Sequence, residues 1–231
     1  MKICFATGSI NRWTIFNDPD KVIDFFRQYN FYGCELTFDT PEELFSYELS
    51  EKSKEYLRGL NYLSLHLPFR HTYKKDDLTS EVIQKALIMI DNLEIDTVVV
   101  HHHQIEDNHY LKQIPVQLCF ENMTIKRGFS IKDYKNAIES HPGVRFVLDT
   151  THALTWSMEH LMDIYNTFNS MIHQVHYSEF RKGRKHLPVH EDNHHLLPIL
   201  NKLDVPIILE VNYEMDDNES FIKDMQFIGL K

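Results

Sequence analysis

The sequence predicts an α/β protein folded as a single (β/α)8 TIM barrel over residues 1–231. Eight short apolar runs rich in Val, Ile, Leu and Phe alternate with longer amphipathic segments, the pattern of consecutive βα units around a parallel sheet. The turn after the first run, "TGSINRW", lacks the GxGxxG of many open doubly wound sheets, which more often hold five or six strands. No Pro/Gly/Ser-rich linker, charge block or low-complexity tract divides the 231 residues, a length that suits a compact barrel.

Taken in order, the first strand is "KICFAT" (2–7), followed by a helix over "DPDKVIDFFRQY". There Asp18 can cap, Pro19 suits the first helical position, and Val22, Phe25 and Phe26 recur at helical spacing. "GCELTF" (33–38) and "YLSLH" (62–66) form the second and third strands. The next helix, "LTSEVIQKALIMIDNL", carries Val82, Ile83, Ala86, Leu87, Ile90 and Leu93 on one stripe. "DTVVVH" (96–101), "PVQLCFE" (115–121), "VRFVLD" (144–149), "IHQVHY" (172–177) and "PIILEV" (206–211) complete the eight strands. A barrel gathers the C-terminal strand ends and the loops after them on one face, where chemistry is found.

Composition narrows the function. The hydrophobic share of 42% supplies a sizeable core. No run approaches the roughly 18 apolar residues of a membrane span, and "MKICFATGSI" holds one lysine and no extended apolar region. No membrane partner and a cytoplasmic location are therefore expected. Cys4, Cys34 and Cys119 are odd in number and far apart, which reads as buried thiols and not as a disulfide framework or thiolate site. The net charge of -10 disfavours a protein that coats nucleic acid with its whole surface, although bound cations would offset carboxylates acting as ligands. Fifteen histidines against 7 glycines is the unusual feature.

Those histidines fall where a barrel does chemistry. The strand ends carry His66 in "LSLHLPF", His101 in "VVVHHH", Glu121 in "LCFENM", Asp149 and His152 in "LDTTHA", His176 in "QVHYSE", and Glu210 in "ILEVN". A lone histidine at a strand end is more often a hydrogen-bonded structural residue, but eightfold closure points all these ends at one small volume. Mixed imidazole and carboxylate donors suit Zn, Mn or Fe, and a carboxylate can bridge two ions about 3.5–4 Å apart. Two divalent ions are expected, zinc first, with Mn or Fe as alternatives. In "DTVVVHHH", Val98 to Val100 are barrel wall and His101 is the ligand, while His102 and His103 begin the loop, where either could orient a ligand. His186, in "EFRKGRKHLPVHED", joins as an outer ligand; His190, His194 and His195 read as surface residues.

Basic residues cluster in three loops on the same face: Arg70, Lys74 and Lys75; Lys126 and Arg127; Arg181, Lys182, Arg184 and Lys185. They suggest a small anionic substrate, with Arg181, Arg184 and Lys185 as binding residues, and Trp13 with Arg12 as a wall and donor from the first loop.

The motifs "SLHLPF", "VVVHHH", "CFENM", "VLDTTHA", "QVHYSEF", "KHLPV" and "ILEVN", in this order, resemble those of the xylose isomerase-like TIM-barrel superfamily. That superfamily includes endonuclease IV-type (AP endonuclease family 2) enzymes and sugar phosphate isomerases and epimerases. "GCELTF" is similar to its second strand, with Glu35 as the strand's glutamate and a candidate substrate contact. By similarity to endonuclease IV, His66, His101 and Glu121 would hold one ion, and Glu121 would bridge to a second bound by Asp149, His176 and Glu210. His152 and His186 would serve a third, but Arg184 stands where the family has an aspartate, and Glu179 where it commonly has another.

Three functions are compatible with these residues. The first is a metal-dependent hydrolase of the endonuclease IV-like group acting on a phosphoester or related bond. A small anionic or sugar-like substrate fits the charge better than nucleic acid, which remains a possible partner. The second is a sugar or sugar-phosphate isomerase or epimerase using Glu121 and Glu210 as acid and base around one ion. The third is a non-catalytic metal-binding barrel with a coordinatively closed centre. His66 and His101 favour the first, because a one-ion proton-transfer site has no need of them.

Overall fold

The structure is a computed structural model that describes residues 1–10, 18–191, 194–214 and 217–230. Eight parallel strands close a barrel: β1 (Ile3–Ala6), β2 (Gly33–Thr37), β3 (Tyr62–His66), β4 (Thr97–His101), β5 (Gln117–Glu121), β6 (Arg145–Asp149), β7 (Ile172–Tyr177) and β10 (Ile207–Leu209). Each pairs in register with its sequence neighbour, and β10 closes against β1 through Ile3↔Ile207. All eight expected strands are present; β3 and β7 match their apolar runs and the other six are shorter by one to three residues.

Strand alternation explains why valines and histidines share one strand. Successive side chains point to opposite faces, so Val98 and Val100 join the main core under the helices, while Val99 forms a separate cluster with Cys119 and Val147. Two residues on, the same face carries His101 from β4, Glu121 from β5 and Asp149 from β6. On β4, β5 and β6 the inner face is therefore apolar at Val99, Cys119 and Val147 and polar one step above. Register aligns the upper layer directly, with His101↔Glu121 and Asp149↔His176 as pairs.

Helices cover the outside. In α1 (Pro19–Phe26) the Asp18 side chain accepts from the Asp20 amide, and Val22, Ile23 and Phe26 are buried. Phe26 stacks on Phe5 of β1 at 3.7 Å between ring centroids. Two helices, α2 (Pro41–Ser46) and α3 (Glu51–Arg58), follow β2. The long α4 (Asp77–Leu93) buries Val82, Ile83, Ala86, Ile90 and Leu93 of the expected stripe; Leu87 packs at its edge. The helix α5 (Ile131–Glu139) opens with a capping box between Ser130 and Asp133. The pair α6 (Thr150–Leu154) and α7 (Met158–Phe168) follows β6, with Phe168 stacked on Phe146 at 4.4 Å. Finally α8 (Leu197–Leu200) and α9 (Asn218–Phe227) flank β10. The three cysteines are buried and free, as expected. Among the described residues no helix is long and apolar enough to cross a membrane.

Two local expectations change. The basic segment after β7 is a β-hairpin, β8 (Glu179–Arg181) with β9 (Arg184–Leu187), and not an irregular loop. Its two turn residues, Lys182 and Gly183, have φ of 51° and 77°, the left-handed pair that suits a tight hairpin. His190 and His194, read as surface residues, are instead partly buried and paired with buried acids. His190 Nδ1 lies 2.5 Å from Asp224, which also accepts from Tyr213 and from the Val189 and His190 amides; His194 Nδ1 lies 2.8 Å from Glu179. His195 is exposed.

Candidate metal centre

Glu121, at the end of β5, is 1% exposed and lies at the middle of the upper layer. Its Oε2 faces His66 Nε2 at 3.1 Å, His101 Nε2 at 3.3 Å and His176 Nδ1 at 3.5 Å, while Oε1 faces His152 Nδ1 at 2.9 Å. Four imidazoles, three from strand ends and one from α6, thus converge on one carboxylate.

Each partner is oriented by its local backbone. His66 Nδ1 donates to the Leu67 carbonyl at 2.8 Å, which leaves Nε2 for Glu121. His176 Nε2 donates to Glu35 at 3.1–3.3 Å, which turns Nδ1 towards Glu121 and Glu210, the latter at 3.2 Å. "DTTH" folds as the first turn of α6 because the Asp149 side chain caps it, accepting from the His152 amide at 2.6 Å. That cap brings His152 back over Asp149, with Nδ1 to Oδ2 at 3.5 Å. Asn122, a residue the motif reading passed over, exchanges two hydrogen bonds with the backbone of Asp149 at 2.7 and 2.9 Å and so locks β5 to β6 beneath the site. His186 adopts φ of 53° in β9, and its Nδ1 lies 3.2 Å from Ser178 Oγ and from the Glu210 carbonyl.

Three groups of donor atoms result, each lying within 4.8 Å of one another: His66, His101 and Glu121; Glu121, Asp149, His176 and Glu210; and Asp149, His152 and His186. Glu121 belongs to two groups, and so does Asp149. Where the resemblance places an aspartate, Arg184 is 67% exposed and paired with Glu214 at 3.3 Å, so its guanidinium stays out of the third group and Asp149 supplies that group's carboxylate.

The residues fit divalent cations on two grounds. Buried Glu121 Oε1, Asp149 Oδ2, His176 Nδ1 and Glu210 Oε2 face neighbouring imidazole or carboxylate groups at 2.9–3.5 Å without hydrogen-bond geometry, a costly arrangement for buried polar atoms that a shared cation would relieve. The electrostatics carry the same message. Burial, with the charges of Glu210 and Glu121, pushes the Asp149 carboxyl up to about 8 despite His152. Burial opposes the charged form of His152, but Asp149 and Glu121 outweigh it and lift the imidazole to about 9. Burial likewise opposes the ionised Glu121 and Glu210, yet the surrounding histidines hold both below the ordinary carboxylate range. Acids at such close range need compensating positive charge, which protons on imidazole supply here and a divalent cation supplies better.

A stability prediction follows. His152 and Asp149 both have folded pKa values above the unfolded ones, so their contribution is full below the unfolded values and is lost as pH rises through about 9 and about 8. Metal-free protein is expected to melt at progressively lower temperature as pH is raised over that range. Zinc-loaded protein should show no such decline, because its ligands are already deprotonated. Thermal melts with and without metal check this; parallel profiles would contradict it.

Above these groups opens a cavity of about 430 Å³, whose floor includes His66, His101, His152, His186 and Glu210. Phe69 and Met123 wall it, and His103 reaches it stacked on His101 at 5.6 Å, its imidazole lowered to about 4 chiefly by burial. Of the residues expected to meet substrate, Lys185 lines this cavity. Arg181 and Arg184 do not, because Glu191 and Glu214 hold their guanidinium groups outside. Glu35 lies fully buried beneath, bonded to Ser64, Gln174 and His176. Arg12 and Trp13 fall outside the described residues.

No family model and no curated protein matches the sequence. Solved structures match over nearly the whole chain. A D-tagatose 3-epimerase-like protein aligns with a TM-score of 0.70 at 18% identity, covering 99% of this chain and 97% of that one. Endonuclease IV from Thermus thermophilus aligns at 0.66 and 13%, covering 99% and 98%. A putative xylose isomerase from Rhodospirillum rubrum aligns at 0.65 and 15%, covering 99% and 97%. These are xylose isomerase-like TIM barrels, and this chain has their fold. At such identities the likeness is one of fold, so the chemistry rests on the residues.

Proposed function

We propose that this protein is a metal-dependent hydrolase of the endonuclease IV-like kind, cleaving a phosphoester or related bond of a small anionic substrate. The observation that carries this reading is the placement of His66 and His101, whose Nε2 atoms face Glu121 at 3.1 and 3.3 Å and give that carboxylate a second set of partners. A one-ion proton-transfer site uses Glu121, Asp149, His176 and Glu210 and leaves those imidazoles without a task. A two-ion site uses all six.

Divalent ions bound there would generate a nucleophile from water near neutral pH and stabilise charge developing on the leaving oxygen. The residues of the chain set the stage for that. Glu121, which belongs to two of the groups, would bridge them. The Leu67 carbonyl and Glu35 hold His66 and His176 in the tautomers that aim Nε2 and Nδ1 inward. Phe69 and Met123 shield one flank from water, and the open lining of His66, His101 and Glu210 leaves room for a substrate, unlike a closed structural centre.

A second reading has its own support. The four-membered group of Glu121, Asp149, His176 and Glu210 is complete by itself, and Glu210, one half of the acid/base pair of a sugar or sugar-phosphate isomerase or epimerase, lines the cavity, with Glu121 buried beneath it. The variant His101→Ala separates the two. Hydrolysis predicts a loss of about one ion per chain and of phosphoester cleavage by at least about a hundredfold, more than loss of a ligand's outer partner usually costs. Unchanged metal content would remove His101 from the ligand set. Retained epimerase activity towards ketoses would favour the second reading.

A further inference from the structure

The loops around the cavity carry nine cations, of which four are already paired with carboxylates. Arg70 pairs with Asp39 at 3.2 Å, Lys74 with Asp76 at 3.5 Å, Arg181 with Glu191, and Arg184 with Glu214. Arg127 and Lys185 differ. Both line the cavity, and neither has a carboxylate partner among the described residues.

Their backbones are anchored. Arg127 ends a short turn held by its own amide on the Thr124 carbonyl at 2.9 Å and by the Ile125 amide on Thr155 Oγ1 at 2.9 Å, and Gly128 at φ of 71° closes it. Lys185 sits in β9, fixed by the tight Lys182-Gly183 turn. One follows β5 and the other follows β7, so in the barrel order they flank His152, which follows β6. The opposite arc of the mouth, after β1 and β2, presents Ser9 and Thr37, with Asp39 already paired, while Asn212 after β10 adjoins Lys185, its backbone amide donating to the His186 carbonyl at 2.8 Å. The mouth is thus polarised, with free cations on one side and hydroxyl groups on the other.

We propose that Arg127 and Lys185 seat the phosphoryl group of a small phosphorylated polyhydroxy substrate beside the metal groups at His152, with the hydroxyl-bearing end extending across the mouth towards Ser9 and Thr37. An arginine fork and a lysine ammonium are complementary donors for a phosphate dianion. The volume of about 430 Å³ lies at the lower end of the roughly 300–1,000 Å³ range of small-molecule pockets, which suits one phosphorylated sugar-sized molecule. This assignment rests on reading the cavity as a substrate site.

Calorimetric titration of the metal-loaded intact chain with ribose, ribose 5-phosphate and inorganic phosphate tests it. Ribose 5-phosphate is expected to bind at least about tenfold more tightly than ribose, a factor within reach of two solvent-facing cations. In the double variant Arg127→Ala/Lys185→Ala that advantage should vanish, and phosphate affinity should fall about as much, with metal content unchanged. Lys126→Ala, a neighbouring cation outside the cavity lining, should leave both affinities intact. Equal affinity for ribose and its phosphate, no change in the double variant, or the same loss in Lys126→Ala would overturn the assignment. Metal count and hydrolysis are read on the same samples. A chain that binds one ion yet discriminates phosphate through Arg127 and Lys185 rejects the hydrolase reading and keeps the phosphate seat.

Discussion

Glu121→Gln is expected to cost the protein about two ions per chain and to lower phosphoester cleavage by at least about 10²–10³-fold, the scale seen when one preorganised charge-stabilising group is lost. The substitution keeps the side chain's shape, so the barrel should still close. What it removes is the charge that four imidazoles face at 2.9–3.5 Å. Because Glu121 belongs to both the His66/His101 group and the Asp149/His176/Glu210 group, its effect should exceed that of His101→Ala, which touches one group. Elemental analysis beside an activity assay reads both numbers. Loss of a single ion with the other retained would show that Glu121 serves one site and does not bridge.

Metal removal should produce the second large effect, in stability. The upper layer of the barrel packs Glu121, Asp149 and Glu210 among imidazoles, with several polar atoms lacking a hydrogen bond. Cations that bind only the folded chain stabilise it by mass action, about 4 kcal/mol when free metal exceeds its dissociation constant a thousandfold. For a chain of about this size each kcal/mol moves the melting temperature by roughly 2–4 °C, so chelation should lower it by roughly 10 °C per site emptied. Melting curves before chelation, after it, and after zinc is restored test this. A melting temperature indifferent to chelator would mean that the buried acids are compensated by protonated histidines alone.

The fold and the inner ring of the site were legible in sequence for one reason: both depend on short-range periodicity. Alternation along a strand decides that Val99 and His101 face inward while Val98 and Val100 face out, and eightfold closure then gathers every strand end. The outer layer was not legible, because it depends on pairings between residues distant in the chain. Arg184 meets Glu214, His190 meets Asp224 and Glu35 meets His176 only once the barrel exists. Charge alone made Arg181 and Arg184 look like substrate contacts, whereas the carboxylates that claim them lie 10 and 30 residues on, at Glu191 and Glu214. The hairpin after β7 had a local signal, Lys182-Gly183 between alternating residues, weaker than the Asn-Gly or Asp-Gly pair that usually announces such a turn.

The three adjacent histidines also resolve once the chain turns. His101 ends β4 and faces inward, and a 3-10 turn over His102–Gln104 then rotates the next two. His102 packs on Phe120 and Phe129, away from the cavity, while His103 stacks on His101 and faces it. One ring faces Glu121, one belongs to the packing, and one lines the cavity.

The polynuclear centre proposed for this barrel would be bridged by Glu121. Elemental analysis of metal per chain, on protein purified without a histidine tag, tests it most directly. Two or three ions per chain are predicted. One ion, or none, would contradict the claim and return His66 and His101 to structural roles.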